Sequence, residues 1–155
     1  MPYFRLLILL FLLGADLSSG TTTPPSPAKR LPRTSLSIGK NQLDVQLASD
    51  QATREQGLMK RKTLGANEGM LFVFPCPQQV AFWMKDTSLP LSIAYLNSSG
   101  RILEMHDLEP FNEHSILSSS PAIVYALETP HGWFAAHQIL PGDIVVGLPD
   151  FSSAK

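Results

Sequence analysis

A single cysteine, Cys76, stands in this chain of 155 residues, so no internal disulfide can form and the core alone must hold the fold. Between Pro75 and Pro77 that cysteine reads as a small hydrophobe, because no base that would activate a thiol is signalled nearby. An excess of either charge is also missing. Twelve basic against thirteen acidic residues leave a formal net charge of −1, which excludes the basic footprint with which nucleic-acid binders neutralise phosphates. Lys60-Arg61-Lys62 is the one basic cluster and reads as a solvated face. The chain has no Gly-x-Ser-x-Gly elbow, no P-loop, no dinucleotide fingerprint, no HExxH and no Cys/His metal spacing. Of its four histidines, His131 and His137 are six residues apart, about 240° around a helix axis, and could not share an ion from one face. His106 beside Asp107 and Glu109 is at most a weak cluster. No catalytic residue, metal or cofactor is therefore expected.

With 44% hydrophobic residues the chain can bury the core of one domain. Arg5 followed by the ten apolar residues Leu6 to Ala15 has the form of a secretory leader over residues 1–20 and is too short to span a bilayer. Ser18 and Gly20 suit cleavage after Gly20, and an uncleaved anchor is the alternative. Residues 21–33 carry Pro24, Pro25, Pro27 and Pro32 among Thr, Ser, Lys and Arg, the composition of a tether. A domain over residues 34–149 and a tail over 150–155 follow. The expected location is exported, periplasmic or extracellular, with membrane contact only through the N-terminal segment.

The centre of the domain is Gly69 to Thr87, where the apolar runs Met70 to Phe74 and Val80 to Met84 predict two strands separated by Pro75 and Pro77. Before it, Leu36 and Ile38, a turn at Gly39 to Gln42, and alternating Leu43, Val45 and Leu47 predict a hairpin. Asp50 is a fitting N-cap for a short helix from Gln51 to Gln56. After it, Leu91 to Tyr95, turn residues Asn97 to Gly100, and Arg101 to Leu108 predict a second hairpin. Glu109 to Ser120 reads as a long excursion and Ala122 to Thr129 as a strand. Thr129 and Pro130 predict a helix running to Gln138 with Trp133, Ala136 and Leu140 inward, and Ile144 to Val146 a closing strand. Seven or eight short strands and two short helices make the expected fold mainly β, a compact β-sandwich or partly closed barrel.

Gly57-Leu58-Met59 with Arg61 and Leu64, Gly69-Met70-Leu71-Phe72, and Phe82-Trp83-Met84-Lys85 with Thr87 stand in one order. Pro90-Leu91, Ile93, Gly100-Arg101-Ile102, Leu127-Glu128, Gly132 and Gly142-Asp143 continue it. Over roughly Leu43 to Val146 this pattern resembles the bacterial and archaeal family called domain of unknown function 192. The resemblance implies a mostly β, sandwich-like domain and names no reaction. Two positions depart from the family's habit: Asp86 stands where Asn is usual, and Ser92 where Asp is usual.

Trp83, Lys85, Asp86, Glu128 and Asp143 are the candidate ligand-binding residues, since an aromatic face beside charged groups can hold a small polar ligand such as a carbohydrate. In the structural alternative, Trp83 is core, Lys85 pairs with Glu128, Asp86 caps the turn before Pro90 and Asp143 bonds turn amides. The functional expectation is a binding module for a small polar ligand. The alternatives are a domain that contacts an envelope protein through the Glu109 to Ser120 excursion, and a hydrolase using Asp86 and Glu128 as a carboxylate pair.

Overall fold

A computed structural model describes residues 30–155, so the expected leader and all but the end of the tether lie outside the described residues. Strands β1 (Arg33–Ile38) and β2 (Asn41–Ala48) form the first hairpin, turning at Gly39, whose φ of 56° is left-handed. Helix α1 (Gln51–Gln56) follows with Asp50 as its N-cap, accepting from Thr53 N while Thr53 Oγ1 accepts from Asp50 N in a capping box. The chain then crosses to β3 (Glu68–Gln78), which lies parallel to β2.

β4 (Ala81–Phe82) is only two residues long, and β5 (Leu91–Leu96) with β6 (Ile102–Leu108) forms the second hairpin. β7 (Ile116–Leu117) pairs with β4 inside the Glu109 to Ser120 excursion. β8 (Ile123–Pro130), the one-turn helix α2 (Trp133–Ala136), β9 (Val145–Val146) and a 3₁₀ turn (Phe151–Ser153) complete the chain. The main sheet has the order β6-β5-β8-β3-β2-β1-β9. It curls until its two edges meet, with Arg101 bridging Ile144 and Val145 N donating to Gly100 O. The expected mainly β, partly closed barrel with two short helices is the fold found.

Two apolar clusters occupy the two faces of this curl. Leu36, Val45, Leu71, Leu96, Leu127 and Trp133 belong to one; Met70, Phe72, Met84, Ile93, Tyr95 and Ala126 belong to the other. β5 and most of β8 are consequently buried on both faces rather than alternating with solvent. Residues 150–155 fold back, with Phe151 6.3 Å from the Tyr125 ring and Lys155 N bonded to Ser49 O. No helix among the described residues is long and apolar enough to cross a membrane.

Three local readings need correction. Pro75 and Pro77 do not divide the central stretch, because β3 runs through them to Gln78. Pairing with β2 ends at Phe72 and the register to β8 is interrupted between Val73 and Gln78, so no ladder bond needs the missing N–H groups. Thr129 and Pro130 do not begin a helix, because they extend β8 against Ser92 and Leu91; α2 starts later, capped by Gly132 at φ 75°. Its inward residues are Trp133 and Phe134 with Ile139, whereas Ala136 and Leu140 are exposed.

Candidate functional site

Glu128 sits on the middle strand β8, in register with Met70 of β3 on one side and Ile93 of β5 on the other. Both neighbours are apolar and fully buried, and Glu128 itself is only 4% exposed. Its side chain makes no hydrogen bond and no ion pair among the described residues. Burial pushes its carboxyl up to about 8, with no cation nearby to pull it back. No sealed side-chain oxygen among the described residues lacks a partner, so the unpartnered carboxyl of Glu128 must open into free space.

That space is a cavity of about 380 Å³ lined on the sheet side by Phe72, Phe74 and Gln78 of β3 and by Glu128 of β8. Its walls come from three parts of the chain: α1 with Gly57, Leu58 and Met59; the far half of β3; and the segment Gln79 to Trp83. Gly57 can back onto the sheet because it has no β-carbon, which would otherwise meet the Phe72 ring at 3.3 Å. The β4 wall is tied down by Ser118, whose amide donates to Val80 O and whose hydroxyl accepts from Val80 N. Lys60 N donates to Asp86 O and links the α1 side to the turn after Trp83.

The rings of Phe72, Phe74, Phe82 and Trp83 share the lining with polar side chains, among them Gln51, Gln78 and Gln79. The Phe82 ring meets Phe72 edge-on at 4.8 Å and Phe74 at 6.5 Å, and lies 5.8 Å from Tyr95. Tyr95 donates to Ile116 O at 2.8 Å, and burial, then Glu104 and Glu128, push its phenol up, so it stays neutral. Trp83 is 44% exposed at the mouth of the cavity. Arg54, also in the wall, donates to Val73 O and Lys155 O and stands 5.6 Å over the Phe74 ring.

Of the five residues singled out from the sequence, Trp83 and Glu128 line this cavity and the other three do not. Lys85 is exposed, with its Nζ 5.3 Å from the Trp83 ring centre, and forms no ion pair with Glu128. Asp86 is exposed in a left-handed turn at φ 52°, a conformation that Asn and Asp adopt more readily than other side chains. Asp143 lies at the barrel seam, where its carboxylate accepts from Leu140 N and its carbonyl from Ile102 N. Trp83 is thus not core and Lys85 does not pair with Glu128, whereas Asp143 bonds turn amides. Arg54, Phe72, Phe74 and Phe82 complete the site without having been singled out; the Phe82-Trp83 pair at the end of an apolar run was the one signal pointing towards them.

Ser92, the second departure from the family's habit, is buried beneath α2. Its hydroxyl donates to Asp107 Oδ1 and accepts from Gly132 N at 2.9 Å. It joins β5, β6 and the start of α2, and no hydrogen bond connects it to Asp86. Among the described residues no group of three or more His, Cys, Asp or Glu side chains is placed to hold a metal ion.

Among the described residues, the partly closed β-barrel thus carries a cavity with aromatic side chains and the buried Glu128 in its lining. The family model of DUF192, described as "Uncharacterized ACR", matches residues 34–147, and the chain belongs to that family. No curated protein matches it. Among solved structures it is similar to a "putative transcription regulator" from Sinorhizobium meliloti 1021, at 36% identity and a TM-score of 0.69, covering 74% of this chain and 92% of that one. It is also similar to a protein of unknown function from Novosphingobium aromaticivorans DSM 12444, at 26% identity and a TM-score of 0.68, covering 85% of this chain and 98% of that one.

Proposed function

We propose that this domain is a binding module for a small polar ligand, held in the cavity between α1 and β4. The observation that carries the reading is Glu128: a buried carboxyl without a partner among the described residues, facing a space of about 380 Å³ with aromatic side chains in its lining. A lone polar group in such a place destabilises the fold unless something else gains from it. The volume falls in the range of small-molecule pockets, and Trp83 at the mouth provides a face for the apolar side of a ligand. Hydrolysis by a carboxylate pair has less support, since Asp86 is outside the cavity. A nucleic-acid role, suggested by the description of the Sinorhizobium meliloti relative, has little support from a net charge of −1.

The reading includes export. The apolar run after Arg5 would direct secretion and the proline-rich residues 21–33 would hold the domain away from a membrane. Cell fractionation of the full chain, with sequencing of its mature N-terminus, tests this; recovery of the intact chain in the cytoplasm rejects it.

Tryptophan fluorescence and thermal shift test the cavity. Small amines, sugars and cell-wall fragments are screened against wild type and Trp83→Phe. A ligand of this site changes the emission of the wild type and raises its melting temperature, while Trp83→Phe loses the emission change. No response to any of these compounds would defeat the proposal.

A further inference from the structure

We infer that the ligand of this cavity is a small organic cation, a primary or methylated ammonium, seated among the rings of Phe72, Phe82 and Trp83 with its charge on the Glu128 carboxylate. The inference rests on the binding reading above and sharpens it to one chemical class.

The Glu128 side chain has no donor among the described residues, and its apolar neighbours Met70 and Ile93 cannot supply one. A ligand seated there must therefore bring either positive charge or a donor of its own. The rings favour charge. Aromatic faces carry the negative end of the ring quadrupole and attract ammonium groups, most strongly where water is excluded. Two rings of the lining already carry a side-chain cation over one face, with Lys85 Nζ 5.3 Å from the Trp83 centre and the Arg54 guanidinium 5.6 Å from that of Phe74.

The remaining charged and titratable groups around the cavity do not compete. Arg54 is bound to the carbonyls of Val73 and Lys155, and Glu55 on the same helix accepts from Gln51. The Tyr95 hydroxyl donates a hydrogen bond to Ile116 O and stays neutral. Lys85 and Asp86 are exposed and outside the cavity. Without a ligand, Glu128 keeps its proton at neutral pH. A bound cation supplies the missing countercharge, so each cation that enters releases one proton from Glu128.

The test is calorimetric titration of the purified protein with tetramethylammonium, choline and butylammonium, with glucose and glycerol as neutral probes, in buffers of different ionisation enthalpy. Expected are binding of the cations with close to one proton released at pH 6.5, and affinity that rises up to about tenfold per pH unit before levelling above pH 8. Glu128→Gln keeps the shape of the side chain and weakens cation binding by at least about tenfold. Phe82→Leu weakens tetramethylammonium more than it weakens butylammonium, because only the former depends wholly on the rings. If the neutral probes bind and the cations do not, the cation inference fails while the cavity reading stands. Cations that bind Glu128→Gln as tightly as wild type, or without proton release, also overturn it. If neither class binds, both readings fall.

Discussion

The backbone carbonyl oxygen of Glu128 occupies the space in which Gly69 would carry a β-carbon, only 2.4 Å from where that carbon would stand. Gly69 is the first residue of the GMLF motif, and it lies in β3 opposite Val45. Its lack of a side chain is what allows β8 to approach with Glu128 in place. The glycine is there for space, since its backbone is not left-handed.

Gly69→Ala should therefore destabilise the domain by about 2 kcal/mol or more, because the atom in the way is backbone and cannot swing aside. Urea unfolding measures the loss. Amide exchange should rise first along β8 around Glu128. A variant as stable as wild type would show that the strands part without cost.

Glu128 should make stability fall with rising pH. Its carboxyl ordinarily titrates near 4.5 and is raised to about 8 in the folded protein. Between those values the folded state holds a proton that the unfolded state has released, so unfolding gains on folding as pH rises. The cost is absent below pH 4.5 and complete above pH 8, on the order of a few kcal/mol. Glu128→Gln should have a flatter stability profile from pH 5 to 8 and exceed wild type at pH 8. Parallel profiles for the two proteins would mean that Glu128 is not the buried acid described.

Ser92→Ala should cost about 1 kcal/mol, since it leaves the half-buried Gly132 N–H without its protein acceptor. Ser92→Asp, which restores the residue usual in the family, would crowd a second carboxylate against Asp107 and should be worse than alanine at neutral pH. Thermal unfolding of the three proteins side by side gives the order.

Lys85→Ala should change stability by no more than about 0.5 kcal/mol, because the ammonium lies over Trp83 in solvent and has no carboxylate partner among the described residues. A larger loss would indicate that Lys85 turns inward to Glu128.

Where neighbouring residues decide a structure, the sequence reveals it. Asp50 capping Gln51–Gln56, the turn at Gly39 and the hairpin from Leu91 to Leu108 all depend on local pattern, and all were legible. Glu128 stood out for the same reason, as one acid among Val124, Ala126 and Leu127 on an otherwise apolar strand. Other features depend on partners far along the chain. Thr129 and Pro130 have the chemistry of a helix start, yet the ladder to Ser92 and Leu91 holds them in a strand. The cavity joins α1, β3 and β4, whose meeting no local pattern announces. Lys85 and Glu128 are 43 positions apart, and their mutual distance is set by how Met84 is buried while Lys85 turns out to solvent.

The prolines flanking Cys76 bear on how separate molecules of this protein meet. Beyond Phe72 the outer half of β3 has no β2 partner, and an unpaired strand of this kind is a template onto which another chain can add its own strand. Pro75 and Pro77 remove two amide donors from that stretch, so an incoming strand would find no continuous row of hydrogen bonds. The same two residues that fail to interrupt the strand within the molecule would then guard it against fibrous growth between molecules.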